Sequence, residues 1–245
     1  MLLFFKFYFA HLIADFLLQP NWIAQNKKRP TRVLLHSAIH LAAGIAIINT
    51  SLSAKVFLAL LVVAFAHALC DYVKARFTRD EWLAFTLDQV AHLTIIIVAC
   101  IWLSSQPLNN AGIIARTIAD SQILYLFLCV YVAVIFGGGY FVQKVTQYFM
   151  GQIDQTLLES KPGLRNAGKY IGWLERALVV TFVVAGYPEG IGFLLAAKAL
   201  ARYPEIKDDR KAHFAEYFLI GTLTSVSIAL FAGFVLLKLR VRIKN

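Results

Sequence analysis

Long apolar blocks alternate with short polar connections along this chain. Blocks at about residues 2–19, 32–50, 54–74 and 82–103 each approach the ~20 residues needed to cross the hydrocarbon core of a bilayer. A polar stretch around Asn109 and Asn110 separates them from a fifth block at about 121–142, with an amphipathic continuation toward Gln155. A hydrophilic connection containing Lys161, Pro162, Gly163 and Arg165 follows, and then apolar segments at about 170–186, 190–203 and 213–237. The run from Gly186 through Pro188 to Gly190 divides the first two of these. Proline lacks the N–H that a helix interior needs, so this region is either two short helices or one long kinked one. The pattern predicts an all-α, polytopic integral membrane bundle of about seven to eight transmembrane helices. It divides into a four-helix bundle over residues 1–105, the part that the candidate chemistry below marks as metal-binding, and a C-terminal transmembrane region over 106–245, with basic residues on its cytoplasmic side.

Composition agrees with that pattern. Hydrophobic residues make up 59% and charged residues only 16%, against the ~25% charged of an ordinary soluble domain. This excludes disorder and argues against a soluble globule. The formal charge of +10 is concentrated in the connections, where it reads as a topology signal rather than as a nucleic-acid surface. The first connection carries Lys27, Lys28, Arg29 and Arg32, the second only Lys55, and the third Lys74, Arg76 and Arg79. The fourth has only Arg116, and the fifth has Lys144, Lys161, Arg165 and Lys169. The alternation places the N-terminus outside, the loops around Arg29, Arg76 and Arg165 in the cytoplasm, and those around Ser51 and Asn109 on the far side. If 170–186 and 190–203 both crossed, Lys238, Arg240, Arg242 and Lys244 would lie outside. Either that pair makes one net crossing or the rule is broken there. Cys70, Cys100 and Cys129 lie in apolar blocks without a Cys-x-x-Cys pair, which predicts neither a disulfide framework nor a thiolate site. His11 and Asp15 in the middle of the first block, with Leu-Gln-Pro at its end, predict a retained helix rather than a cleaved signal peptide.

The chemistry is concentrated in the first four blocks. Five of the six histidines fall there, in pairs four residues apart: His11 with Asp15, His36 with His40, His67 with Asp71, and Asp88 with His92. Positions i and i+4 share one helix face, so each pair points two donors the same way. One such pair is a weak signal, but four on consecutive helices are a strong one. In the predicted topology His11, His40, His67 and His92 lie deeper in the bilayer. Asp15, His36, Asp71 and Asp88 lie one turn, ~5.4 Å, nearer the cytoplasm. Two stacked layers of donors follow.

Ionisable groups inside a membrane cost several kcal/mol unless paired, neutralised or coordinated. Imidazole with carboxylate suits Zn, with Fe or Mn as alternatives, and eight donors exceed what one four-coordinate zinc uses. The expected cofactor is therefore a divalent metal, first of all Zn and as two ions, with some of the eight residues orienting the others. Two alternatives stand beside it: a hydrogen-bonded His–Asp network cementing the bundle, and a proton or ion relay without metal. Gln19 and Gln89 accompany the site pairs, with interfacial or core roles more favoured than contact with substrate. In the second half Glu175, Arg176, Lys198, Arg202 and Glu216 read first as snorkelling and internal salt bridges. Their functional alternative is a basic pocket for an anionic headgroup, with Arg176, Lys198, Arg202 and Gln89 as candidate substrate-binding residues. Thr222 and Ser225 are expected to bond helix backbones. Gly137, Gly138 and Gly139 suit close packing or a hinge better than nucleotide binding.

The string from His11 to Gln19, the pair His36 and His40, the run from His67 to Asp71, and Leu87, Asp88, Gln89 and His92 together resemble a bacterial inner-membrane family catalogued only as a domain of unknown function. The likeness covers about residues 5–100. The stretches 172–176, 197–202 and 216–223 look like the C-terminal half of some members. More distantly, the His-x-x-x-Asp pairs are similar to those of membrane proteins regarded as metal-dependent hydrolases, including relatives of zinc-dependent phospholipases C. These resemblances imply a multi-pass protein of the bacterial inner membrane with a His/Asp metal site.

The leading functional expectation is a metal-dependent hydrolase of a lipid or lipid-linked phosphoester. In it the metal activates water, and Asp71 or Asp88 accepts the proton. Membrane lipids are the expected partners. The alternatives are a di-iron membrane oxidoreductase and a divalent-metal transporter or sensor.

Overall fold

The computed structural model describes residues 1–24, 27–49, 52–77, 82–104, 115–150, 167–206 and 212–244. Among these there are helices and no strand. The elements are α1 (Leu2–Phe16), α2 (Asn21–Ala24), α3 (Pro30–Ile48), α4 (Ala54–Phe77), α5 (Trp82–Ser104) and α6 (Ala115–Val132). A π-helical segment (Ala133–Gly137) then leads into α7 (Gly138–Met150). After it come α8 (Ala167–Ala185), α9 (Pro188–Ala201), α10 (Tyr203–Ile206) and α11 (Ala212–Lys244).

Among the described residues five helical runs are long and apolar enough to cross a membrane: Pro30–Ile48, Ala54–Arg76, Trp82–Ser104, Gln122–Phe149 and Ala215–Ile243. This is fewer than the seven to eight expected from the pattern. The 15 residues of α1 span only ~22 Å, short of a ~30 Å hydrocarbon core. Helix α8 carries Lys169, Glu175 and Arg176 within its 19 residues, and α9 has only 14. The connections around Ser51, Asn109 and Arg165 lie outside the described residues.

The chain forms two compact units, residues 1–132 with 243–245, and residues 133–242. In the first, α1 packs on α3, α3 on α4, α4 on α5 and α5 back on α1, with α6 against the outside of α1. This ring gives every member two neighbours and one inward face. Because lipid tails are as apolar as leucine, the ring must be held by close packing and polar contacts rather than by escape from water. Gly44 of α3 supplies the close packing, for a Cβ there would be 2.5 Å from Leu60 Cδ2. Ser37 Oγ donates to the Ala64 carbonyl at 2.6 Å, tying α3 to α4. Cys129 Sγ donates to the Phe5 carbonyl at 3.3 Å and ties α6 to α1. Phe7, Ile48, Val56, Ala59, Leu60 and Ile96 form the apolar core. Phe65, Leu69, Leu87 and Ile101 face outward, as lipid-contacting positions would.

In the second unit the breaker resolves into two helices. Gly186 adopts φ +75°, a left-handed conformation that costs glycine little. The Tyr187 and Gly186 amides donate back to the Phe182 and Val183 carbonyls at 2.9 and 3.2 Å, closing α8, and Pro188 opens α9. The π-helical turn leaves the Ile135 carbonyl to accept from Arg176, whose Nη2 and Nε donate to it at 2.7 and 3.2 Å. Gly139 and Gly172 make room for the guanidinium: a Cβ on them would lie 2.5 Å from its Nη2 and 3.1 Å from its Nη1. The triple glycine is therefore a packing device.

Candidate metal centre

The inward faces of α1, α3, α4 and α5 carry the four His/Asp pairs, so closing the ring brings all eight side chains together. The imidazole centroids of His11 lie 5.3, 5.4 and 5.1 Å from those of His40, His67 and His92. The His67 ring is 3.8 Å from His40 and 3.9 Å from His92, stacked on the latter with an interplanar angle of 3°. His36 joins through His40 and His67 at 4.6 and 5.2 Å. All five rings are buried.

Asp15 is the hub. Its Oδ1 lies 3.0 Å from His36 Nε2, 2.9 Å from His40 Nε2 and 3.3 Å from His67 Nε2. Its Oδ2 accepts from Gln89 Nε2 at 3.2 Å and faces His11 Nε2 at 3.6 Å. The two donor layers expected from helical depth thus interlock through one carboxylate.

Three groups of donors are close enough to hold an ion: His11, Asp15, His67 and His92; Asp15, His36, His40 and His67; and Asp71, Asp88 and His92. The first two are four-donor sets sharing Asp15 and His67. The third differs, because both of its carboxylates already have a cation. Lys27 Nζ donates to Asp71 Oδ1 and Oδ2 at 2.8 and 2.7 Å, and Lys74 Nζ donates to Asp88 Oδ2 at 2.9 Å. Asp88 Oδ2 and Asp71 Oδ2 lie 3.8 and 3.7 Å from His92 Nδ1 and His67 Nδ1. Burial opposes the charge of Lys27, which lies in the connection before α3. Asp71 and, from farther off, Asp15 outweigh it, so its pKa rises above the ordinary lysine value.

Six buried imidazole nitrogens have no hydrogen-bond partner: His11 Nε2, His36 Nδ1, and both nitrogens of His67 and of His92. Beside three of these rings is a small cavity of ≈ 10 Å³, bounded by His11, His67 and His92 on one side and Val63, Ile95 and Ile96 on the other. That is room for one water-sized occupant. Beyond the site Phe7, Ile48, Val56, Leu60 and Ile96 fill the bundle.

Sequence reasoning did not give Lys27 and Lys74 a place here. Lys74 follows Asp71 by three residues on α4, a spacing that places it on the site face. Lys27 belongs to a connection, where no periodicity marks it. The second-half candidates do not share one place. Arg176 is buried on the Ile135 carbonyl and donates from Nη1 to Ser225 Oγ at 3.2 Å. Lys198 pairs with Glu175 at 2.5 Å, and Arg202 is exposed at the end of α9. Ser225 thus accepts from a side chain rather than serving a helix backbone alone.

Fold and site together define a helical protein with five membrane-length helices and a buried His/Asp cluster inside its N-terminal ring. Residues 3–119 match the profile of a family described as a protein of unknown function (DUF3307). Neither a curated protein nor a solved structure matches the chain.

Proposed function

We propose that this chain is an integral membrane metalloprotein of the bacterial inner membrane, holding divalent metal in the Asp15-centred cage. The proposed activity is hydrolysis of a lipid or lipid-linked phosphoester. The observation that carries the reading is the pair of four-donor sets around one carboxylate, in which buried imidazole nitrogens such as His67 Nε2 and His11 Nε2 lie 3.3 and 3.6 Å from Asp15 without a hydrogen bond. A network that merely cemented the bundle would pair its members, because each buried unsatisfied group costs ~1–3 kcal/mol. Metal coordination would give one nitrogen of each ligating ring a partner without adding any group from the protein. The two overlapping four-donor sets of imidazole and carboxylate have the donor types that zinc takes, and Asp15 and His67, common to both, would be shared between them.

In this reading the cage residues would hold a divalent metal, whose Lewis acidity would supply polarisation of a phosphoryl oxygen and acidification of water. Asp71 or Asp88, beside the cage, accepts the proton. Transport is the second reading; the described residues beyond the histidines include the apolar cluster of Phe7, Ile48, Val56, Leu60 and Ile96, which offers no ligand to an ion. Elemental analysis of the purified chain, combined with its ultraviolet-visible spectrum, tests the proposal. Zinc without colour supports hydrolysis, oxo-bridged iron absorption transfers the site to oxidation chemistry, and protein purified without chelators yet free of metal refutes the metalloprotein.

A further inference from the structure

The site has two unlike ends. At one, His11, His67 and His92 meet Val63, Ile95 and Ile96 around a space of ≈ 10 Å³, and the apolar core lies behind. Nothing larger than an ion or a water enters there. At the other end stand the Lys27–Asp71 and Lys74–Asp88 pairs. The aspartates are 1% and 7% exposed, whereas the lysine side chains keep 19% and 23%, so the lysines are the more solvent-accessible members of each pair. Lys28 and Arg29 adjoin Lys27, and Arg76 lies two residues beyond Lys74, so this end is also the cationic end of the ring.

Charge completes the argument. Three carboxylates face two ammonium groups, and a dication in the cage turns that balance from −1 to +1. The loaded site then draws an anion, and an anion reaching it from the open end meets the lysines first. We propose that Lys27 and Lys74 are the receiving groups for a phosphate oxyanion, positioning it over the His/Asp cage. The chemistry recognised is a phosphate mono- or diester headgroup, or free phosphate itself. An ammonium has three donors, and Lys27 directs its bonds to the two oxygens of one carboxylate, so an oxyanion joins that pair without having to break it. The inference rests on the hydrolase reading for the identity of the anion, but the binding itself is measurable without turnover.

The test uses the full chain, zinc-loaded and chelator-treated, in a neutral detergent. Inorganic phosphate binding is followed by ³¹P line broadening. A second arm measures binding to phosphatidylcholine nanodiscs with and without phosphatidic acid. Lys27→Met and Lys74→Met are each expected to weaken phosphate by about tenfold to a hundredfold, the value of one charge-assisted hydrogen bond. Lys28→Met, an exposed neighbour, should leave it unchanged. Because Lys27→Met strands Asp71, Lys27→Met/Asp71→Asn removes the pair together and should lose phosphate equally, while Lys27→Arg should restore it. Binding only to phosphatidic acid discs, still dependent on both lysines, supports a lipid headgroup as the source. Undiminished phosphate affinity in both methionine variants, equal loss in Lys28→Met, or no binding in either arm overturns the proposal. Metal content measured on the same samples separates the two readings. Lysine-dependent phosphate binding in a chain that holds no metal removes the hydrolase and leaves the anion site.

Discussion

Replacing Asp15 by asparagine tests the centre at its hub. The substitution keeps the shape and one carbonyl oxygen but removes the negative charge. In the metal-free chain the contacts from His36 and His40 to Oδ1, at 3.0 and 2.9 Å, change from charge-assisted to neutral hydrogen bonds, and the Gln89 bond to Oδ2 at 3.2 Å is lost, because the asparagine amide nitrogen that replaces that oxygen donates and cannot accept. At ~1 kcal/mol lost per bond this destabilises the N-terminal ring by ~3 kcal/mol. In the metal-bound chain the loss is larger. Asp15 belongs to both four-donor sets and is the one carboxylate of the three with no lysine bonded to it. Altering a group behind a metal ligand already costs ~10–100-fold in affinity, so removing the shared anionic ligand should exceed ~100-fold. The assay is zinc retention against a graded series of chelators, read by elemental analysis, with Asp88→Asn as the comparison because Asp88 is engaged by Lys74. Zinc affinity within tenfold of the native chain in Asp15→Asn would refute the hub. Retention in Asp15→Asn with loss in Asp88→Asn would make the third donor group, not the first two, the metal site.

Further expectations follow from single contacts. His67→Ala should strip metal as thoroughly as Asp15→Asn, since His67 is in both sets; retention of the full complement would count against the cage. Asp88→Asn should retain at least one ion yet lose roughly 10²–10⁴-fold in turnover if it is the proton acceptor, measured once a substrate is in hand; unchanged turnover would transfer that role to Asp71. Gly233→Ala brings a Cβ to 2.8 Å from Val183 Cβ and should destabilise the C-terminal unit by ~1–3 kcal/mol, seen as a lower unfolding midpoint; an unchanged midpoint would show that α8 and α11 separate freely. The raised pKa of Lys27 means that its stabilising pairing is complete below ~10.5 and fades only as pH rises through the higher folded value. The stability gap between the native chain and Lys27→Met should therefore hold through neutral pH, and its disappearance near neutrality would exclude a charged Lys27. A cysteine at exposed Leu52, in a chain lacking the native thiols, should label from the non-cytoplasmic side; labelling only from the cytoplasm would invert the topology.

Local periodicity was enough to outline the ring and its chemistry. The spacing of four between His11 and Asp15, His36 and His40, His67 and Asp71, and Asp88 and His92 is a property of the helix, whose turn puts such residues on one face whatever surrounds it. Block length likewise delimited α3, α4 and α5 to within a few residues, and Gly186 with Pro188 announced a break for reasons of backbone sterics. The count of spans was not legible, because hydropathy in a window does not register where a helix ends, and α1 and α9 are too short. Nor was the division of labour among the carboxylates. Asp15, Asp71 and Asp88 look alike in sequence, and only the packing of four helices gives the first to histidines and the other two to Lys27 and Lys74. Lys27 reaches Asp71 across 44 residues of chain, and Arg176 reaches the Ile135 carbonyl across 41. Contacts at that separation have no period to betray them; they exist because helices that are distant in sequence close on one another, and side chains from loops and facing helices then fill what is left.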